Sequence, residues 1–412
     1  MFRRIAILFA LLILLCADAV AQKDSILVVG RDTVAYRYTP INSSATTRKN
    51  GSGSRFLRYI AESNVDSSFE RKVDMTFVPA IYYSPSTSAG LAVMAAGLYR
   101  LDKRNRNIPA SDFSIYATAS LTGFYRVGVK GNNIFKDDNQ RIVYNAEFFS
   151  MPTSFWGVGY NAAMENSAIK YLASRCIIEG KFLQKITKGL YVGAGIDYNY
   201  HFGKFSGKYT SQEALMSRLS GEGVRYNATG ISLFVEYDTR NAISAPQRGV
   251  YIAVQGKVRP KGMNSVGQTL WSGRLVVDYY QRLWQGAVLA LDLRGELNSK
   301  GTPWVYNASI GGTSAMRGYY AGRFNDLCAI TLQAELRQKI YKGFGAVVWG
   351  GAGNVFSTFG LLDWHKTLPT YGVGLRYALK HGLNIRFDYG FGGKDSNGKL
   401  IHGAVFSFNE AF

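Results

Sequence analysis

The sequence predicts an all-β fold, a transmembrane antiparallel β-barrel of about sixteen strands with a short periplasmic segment before it. Three observations point there. From about residue 73 to Phe412, apolar residues alternate with charged or small ones in stretches separated by turns. The N-terminus has the make-up of a secretory leader, and the chain ends on Phe412.

The alternation is clearest at Leu383, Ile385, Phe387, Tyr389 and Phe391, between which stand Asn384, Arg386, Asp388 and Gly390. Successive side chains of a strand point to opposite faces, so this segment has one aromatic face and one charged face. Ile231, Leu233, Val235 and Tyr237 oppose Ser232, Glu236, Asp238 and Arg240 in the same way. Ile330, Leu332, Ala334 and Leu336 oppose Gln333, Glu335, Arg337 and Lys339. A soluble sandwich also alternates. Its solvent face has little use for such dense charges of both signs beside so many Tyr and Trp, whereas a lumen wall can pair them between strands.

The leader comes first. Arg3 and Arg4 precede the apolar run Ile5 to Leu15, and Ala19-Val20-Ala21 supplies small residues for cleavage before Gln22. Residues 1–21 therefore read as a signal peptide. Leu14 and Leu15 are too large for a lipidation site at Cys16. This is the only long apolar run, and the mean hydropathy is -0.07, which excludes a bundle of membrane helices. Export combined with amphipathic strands predicts the outer membrane of a Gram-negative bacterium.

Residues 22–72 read as a periplasmic tether. The tract Thr46 to Ser54 is rich in Thr, Asn, Gly and Ser, and Arg55 to Ser63 can form a short helix with Phe56, Tyr59 and Ile60 on one side. The barrel takes up residues 73–412. Its strands are expected near 73–83, 88–100, 112–121, 124–135, 140–150, 170–183, 190–203 and 227–239. The second set is expected near 250–259, 270–283, 287–298, 325–339, 343–354, 371–380, 383–393 and 401–411. With both ends in the periplasm, the inside turns are short, as at Trp284-Gln285-Gly286 and Lys380-His381-Gly382. The outside loops 151–169, 204–226, 299–324 and 355–370 are long, as outer-membrane barrels require. The turn between the third and fourth strands, near Thr122-Gly123, is barely marked.

The formal charge is +20, from 48 basic and 28 acidic residues spread through strands and turns rather than clustered. An exported chain with dispersed basic residues suits outer-membrane lipid and lipopolysaccharide, and no nucleic acid. His201, His365, His381 and His402 are scattered, so no metal or other cofactor is expected. Cys176 and Cys328 fall on outward phases of separate strands, pointing to two free thiols facing lipid. No hydrolase signature marks the chain as an enzyme.

At the sixth outside loop stands Ile310-Gly311-Gly312-Thr313-Ser314-Ala315-Met316-Arg317-Gly318-Tyr319-Tyr320. A long loop rich in Gly and apolar residues is poorly suited to water. Folded into the lumen, it would let Arg317 meet an inward carboxylate, with Asp388 and Glu335 the candidates, while Tyr319 and Tyr320 pack on the wall. Gly318 would allow a sharp backbone path, and an Arg fork can hold a carboxylate bidentately.

This loop resembles that of the BamA/TamA family of outer-membrane barrels, the bacterial surface antigen domain, whose sixth loop carries an Arg-Gly-aromatic tip. Tyr237-Asp238-Thr239-Arg240-Asn241 with Pro246 and Gly249 is similar to that family's Asp-x-Arg…Pro…Gly turn. Arg386-Phe387-Asp388-Tyr389-Gly390 resembles its penultimate strand, and Phe406, Phe408 and Phe412 resemble its C-terminal assembly signal, interrupted by Glu410. Two departures stand out. In Trp349-Gly350-Gly351-Ala352-Gly353, Gly351 takes the place of the Asp that usually holds the loop Arg, and residues 22–72 leave no room for POTRA repeats. The resemblance implies a barrel that assists insertion or translocation of protein or lipid components. It would work within a complex of outer-membrane or periplasmic assembly proteins. The alternative is a passive pore or structural barrel.

A tether without its own core should be degraded as a unit. Limited proteolysis of the membrane-embedded protein is expected to remove Gln22–Lys72 and to leave no stable fragment from that region.

Overall fold

Unlike faces oblige each strand to pair in register with its neighbours, because a slip of one residue would carry charges into lipid. In the computed structural model sixteen strands do so, forming one antiparallel sheet in sequence order apart from a hairpin inside the sixth outside loop. The structure describes residues 68–412 apart from 85–87, 104–107, 109, 206–211, 221–223, 243–244, 342, 381–382 and 409. The leader, the tether up to residue 67 and the expected helix at 55–63 lie outside the described residues.

The strands are β1 (Asp74–Ser84), β2 (Ser88–Tyr99), β3 (Ser111–Ser120), β4 (Tyr125–Ile134), β5 (Gln140–Phe155) and β6 (Ile169–Thr187). There follow β7 (Leu190–Lys204), β8 (Arg225–Asp238), β9 (Gly249–Arg259), β10 (Leu270–Arg282) and β11 (Ala287–Asn298). The loop-six hairpin is β12 (Ala308–Ile310) with β13 (Phe324–Asp326). The wall resumes with β14 (Cys328–Tyr341), β15 (Phe344–Phe356), β16 (Leu368–Lys380), β17 (Leu383–Lys394) and β18 (Leu400–Phe408). The first and last strands, β1 and β18, lie in contact, so the sheet curls round on itself. Asp66–Ala378 with Gly382–Phe412 make one compact unit. The second unit, Met1–Val65 with Leu379–His381, reaches the described residues only at the end of β16.

The outward phase is apolar and exposed, as at Ile231, Leu233, Val235, Leu332, Val348 and Val373. The inward phase is charged and paired. Lys181 meets Glu236 at 2.6 Å, Lys257 meets Asp197 at 2.6 Å, and Arg294 meets Asp292 at 2.7 Å. A cavity of about 420 Å³ is left on the side of the lumen walled by β5 to β11. Its charged lining mixes both signs, with Glu179, Asp197, Lys181 and Lys257 among them.

Short inside turns use glycines with positive φ at Gly189 and Gly286, where a side chain would be strained. The barely marked turn before β4 is made by Gly123, and the Ser120 N–H donates to the Phe124 carbonyl at 2.8 Å. The Asp-x-Arg turn after β8 is locally closed. Arg240 donates to both oxygens of Asp238 at 2.9 Å and covers the Tyr251 ring at 4.1 Å. Just after β2, Arg100 donates to the hydroxyl of Ser68, which precedes β1, at 2.9 Å and stacks on Phe69 at 3.8 Å.

Three expectations need correction. The strand expected over 325–339 divides: Phe324–Asp326 belongs to the loop hairpin and the wall strand starts at Cys328. The last strand stops at Phe408 instead of residue 411. Phe412 therefore does not continue the outward series of Phe406 and Phe408, and Glu410 is not an outward charge. The Glu410 carboxylate accepts from Arg376 at 2.8 Å and lies 3.6 Å from Arg337, both inward residues. Third, Cys328 is an outward-phase residue but is buried, with its thiol 3.8 Å from the Ser357 carbonyl of loop seven, while Cys176 is half-buried. Both thiols are free.

Leu233, 69% exposed near the middle of β8, tests the lipid-facing assignment. Leu233→Arg should lower unfolding stability in lipid by about 2–4 kcal/mol. Equilibrium unfolding from vesicles, followed by Trp fluorescence, measures it.

Candidate functional site

Loop six leaves β11 for the outside and turns back down. Pro303 sets the extended entry to a short turn at Trp304–Tyr306, and the Tyr306 hydroxyl donates to the Asn199 carbonyl of β7 at 3.1 Å. The β12–β13 hairpin then packs on helix α1 (Tyr160–Glu165) of loop three. Arg323 donates to the Ala163 carbonyl at 3.1 Å, and the Gly159 N–H donates to the Asn325 carbonyl at 2.7 Å. Ala163, Ile310, Met316, Tyr319 and Phe324 form a buried apolar cluster with Val355 and Leu368 of the wall. A second buried cluster joins Phe155 and Tyr171 to Met216 of helix α2 (Glu213–Ser220) in loop four.

The tip of the loop carries Arg317, which has no exposed surface. Its two terminal nitrogens donate to different strands. One reaches Asp388 of β17 at 2.8 Å and the other reaches Glu335 of β14 at 2.6 Å. The guanidinium also lies 3.8 Å over the Trp349 ring of β15. The Arg317 carbonyl accepts from the Thr370 hydroxyl of β16 at 2.7 Å. Four consecutive wall strands thus meet one loop residue, and both predicted partner acids are among its contacts.

Gly351 faces inward beside this site, where the resemblance puts an acid. A Cβ there would sit 2.5 Å from the Leu332 carbonyl and 2.8 Å from the Gln333 side chain, so no carboxylate fits. Gln333, directly across the ladder, takes that space. It accepts from the Met316 N–H at 3.1 Å and donates to Asp292 at 3.0 Å. The acids come instead from the next inward position of β14 and from β17.

The loop backbone rests directly on the wall backbone. A Cβ on Gly318 would lie 2.8 Å from the Gly390 carbonyl carbon, and one on Gly390 would lie 2.4 Å from the Arg317 carbonyl oxygen. Gly318 also has φ 110°, which L side chains rarely adopt. Tyr319 lies over Gly392; its hydroxyl donates to the Pro369 carbonyl at 2.7 Å and accepts from the Gly393 N–H at 2.6 Å. Burial pushes this phenol up to about 12, so it stays a neutral donor.

Further arginines surround the two acids. Arg376 donates to the other oxygen of Asp388 at 2.5 Å, Arg337 donates to Glu335 at 2.7 Å, and Arg386 lies 3.4 Å from Asp388. Arg337 also donates to the main-chain oxygen of Phe412 at 2.8 Å and stacks near its ring at 5.3 Å. Sequence reasoning named neither Arg337 nor Arg376 as part of the site. Their signal was present, because Arg337 is the next inward position of β14 after Glu335 and Arg376 has an inward phase on β16, beside the strand of Asp388.

A profile described as the Omp85 superfamily domain matches residues 123–412. The chain belongs to the Omp85 superfamily. Omp85 barrels are bacterial outer-membrane proteins that insert or translocate proteins and carry out no covalent chemistry, so this chain is not an enzyme. Among solved structures, BamA from Haemophilus ducreyi lacking POTRA domains 1-3 aligns at 12% identity and a TM-score of 0.52, covering 82% of this chain and 70% of that one. CdiB from Escherichia coli aligns at 10% identity and a TM-score of 0.56, covering 95% of this chain and 69% of that one. CdiB from Acinetobacter baumannii aligns at 12% identity and a TM-score of 0.52, covering 82% of this chain and 60% of that one. At such identities the likeness is one of fold. No curated protein sequence matches.

Arg317→Ala would take from Glu335 and Asp388 one of their cations and leave Arg337 and Arg376 on them, so the loss should fall below the about 3–5 kcal/mol of breaking an isolated buried ion pair. Thermal unfolding in detergent should show it, with Arg317→Lys recovering only part because an ammonium cannot bridge both acids. Gly390→Ala should release the loop by collision alone, read as protease cleavage near Met316 in a barrel that still migrates as folded.

Proposed function

We propose that this barrel assists insertion or translocation of protein or lipid components at the outer membrane, within a complex of outer-membrane or periplasmic assembly proteins. The carrying observation is the loop-six tip, Arg317-Gly318-Tyr319, held inside the lumen on Glu335 and Asp388. A solute pore gains nothing from filling its lumen with a loop tied to four strands. A barrel whose wall changes shape during work needs an internal brace that keeps β14 to β17 together.

In this reading Arg317 and its two acids hold one half of the wall rigid, and movement falls to the contact between β1 and β18. Pro79 of β1 has no N–H for a ladder bond, which suits a strand at a seam. Phe406, Phe408 and Phe412 serve as the assembly signal, with Phe412 acting from its place beside Arg337 instead of from the strand. The leader at 1–21 delivers the chain, and lipid and lipopolysaccharide surround it.

Disulfides engineered across β1 and β18 test the proposal in cells. Locking the seam is expected to impair growth or alter outer-membrane composition, with reductant restoring both. Unchanged growth and composition with a locked seam would instead favour the passive pore or structural barrel.

A further inference from the structure

Loop seven, between β15 and β16, carries large apolar residues that the lumen site does not use. Phe359, Leu361 and Trp364 are 65%, 67% and 70% exposed. The loop is nevertheless well built. Two short turns, Phe359–Leu361 and Trp364–Lys366, hold it, and the Asp363 carboxylate accepts from the His365 N–H at 2.9 Å.

Its position follows from the strand phases. Asn354 and Phe356 of β15 share the outward face with Val348, and Cys328 of β14, opposite Phe356, shares it with Leu332. Val348 and Leu332 are exposed to the surroundings of the barrel, yet Cys328, Asn354 and Phe356 are buried. Loop seven covers them. Asn354 donates to the Asp363 carbonyl at 2.8 Å and to the Thr367 hydroxyl at 3.2 Å, the Cys328 thiol lies at the Ser357 carbonyl, and the Phe359 ring packs 5.4 Å from that of Phe356. The loop therefore folds over the outer face of the wall and not across the mouth of the barrel.

Its height can be estimated. The Phe344–Tyr377 aromatic pair marks the periplasmic end of the same strands. From Phe344 to Asn354 is about 34 Å along a strand at ~3.4 Å per residue, or about 25 Å in height at a tilt of about 40°. An outer-membrane barrel's apolar band is about 25 Å tall, so loop seven sits at its upper boundary. Below it the outward stripe of Tyr371, Val373 and Leu375 continues without a break into the band.

We propose that loop seven is a lipid-embedded apron. Phe359, Leu361 and Trp364 enter the acyl–headgroup boundary of the outer leaflet, and the apron anchors the β14–β16 wall at a fixed depth. The occupant is the bilayer itself, because the apron continues the lipid-facing band on the strands beneath it. The inference rests on the outer-membrane barrel and its orientation, not on what the barrel transports, and its test reads depth alone.

The full-length protein carrying Cys176→Ala and Leu361→Cys is nitroxide-labelled and reconstituted in phosphatidylethanolamine–phosphatidylglycerol vesicles. Cys328 is buried, and the chain without Leu361→Cys checks that it takes no label. Power saturation should give greater collision with oxygen than with a water-soluble nickel chelate at position 361. A label at the exposed loop-eight residue, Ser396→Cys, should give the reverse. A label at 361 as open to nickel as one at 396 overturns the proposal. So does shielding that appears only in native outer membranes, since a protein partner would then cover the loop.

Discussion

A guanidinium removed from water costs several kcal/mol unless acids meet it with good geometry, and Arg317 is wholly buried. That one charge organises the C-terminal half of the barrel. Its fork needs Glu335 on β14 and Asp388 on β17, its π-face needs Trp349 on β15, and its carbonyl needs Thr370 on β16. The strands cannot shift register against one another without breaking at least one of these contacts. The wall from β14 to β17 is thus braced from within.

The two acids are themselves shared. Arg317, Arg337, Arg376 and Arg386 divide three carboxylates, those of Glu335, Asp388 and Glu410. The residues after β18 thereby enter the same network as loop six. Glu410 gives its carboxylate to Arg376 and Arg337, and these carry the link on to Asp388 and Glu335. Low-dielectric surroundings make such chains of charges mutually dependent. Removing any acid disturbs several arginines, so single substitutions here will not add independently.

Much of this was legible from residue order alone. Each of the sixteen wall strands overlaps the stretch where the period-two pattern put it, because unlike faces leave a pattern that survives low sequence identity. Ends differ by several residues, as at Gln140–Phe155, which runs on into the loop expected at 151–169. Inward phase also brought Glu335 and Asp388 forward as candidates, since a carboxylate facing a lumen wants a cation. What stayed hidden depends on where a pattern stops. Phe412 and Glu410 keep the spacing of Phe406 and Phe408, yet the strand ends first and both turn inward. Cys328 keeps the phase of Leu332, but a folded loop covers it. Gly318 and Gly390 look like any other glycines, and only the close approach of two backbones explains them. Gly351 gave a warning that the family's acid was absent, without showing that Gln333 fills its space.

The reach of the loop-six contacts along the chain is large. Asn325 donates to the Gly157 carbonyl across 168 positions, Arg323 to Ala163 across 160, and Arg317 to Asp388 across 71. Closing loops of that length is entropically costly, and non-local contacts form late in folding. Glu335, Trp349, Thr370 and Asp388 all follow Arg317 in the chain, so the loop has no seat until the final hairpins exist. Assembly of this barrel must therefore hold an unseated apolar loop in check while β14 to β17 are still being added, and the seating of Arg317 marks its completion.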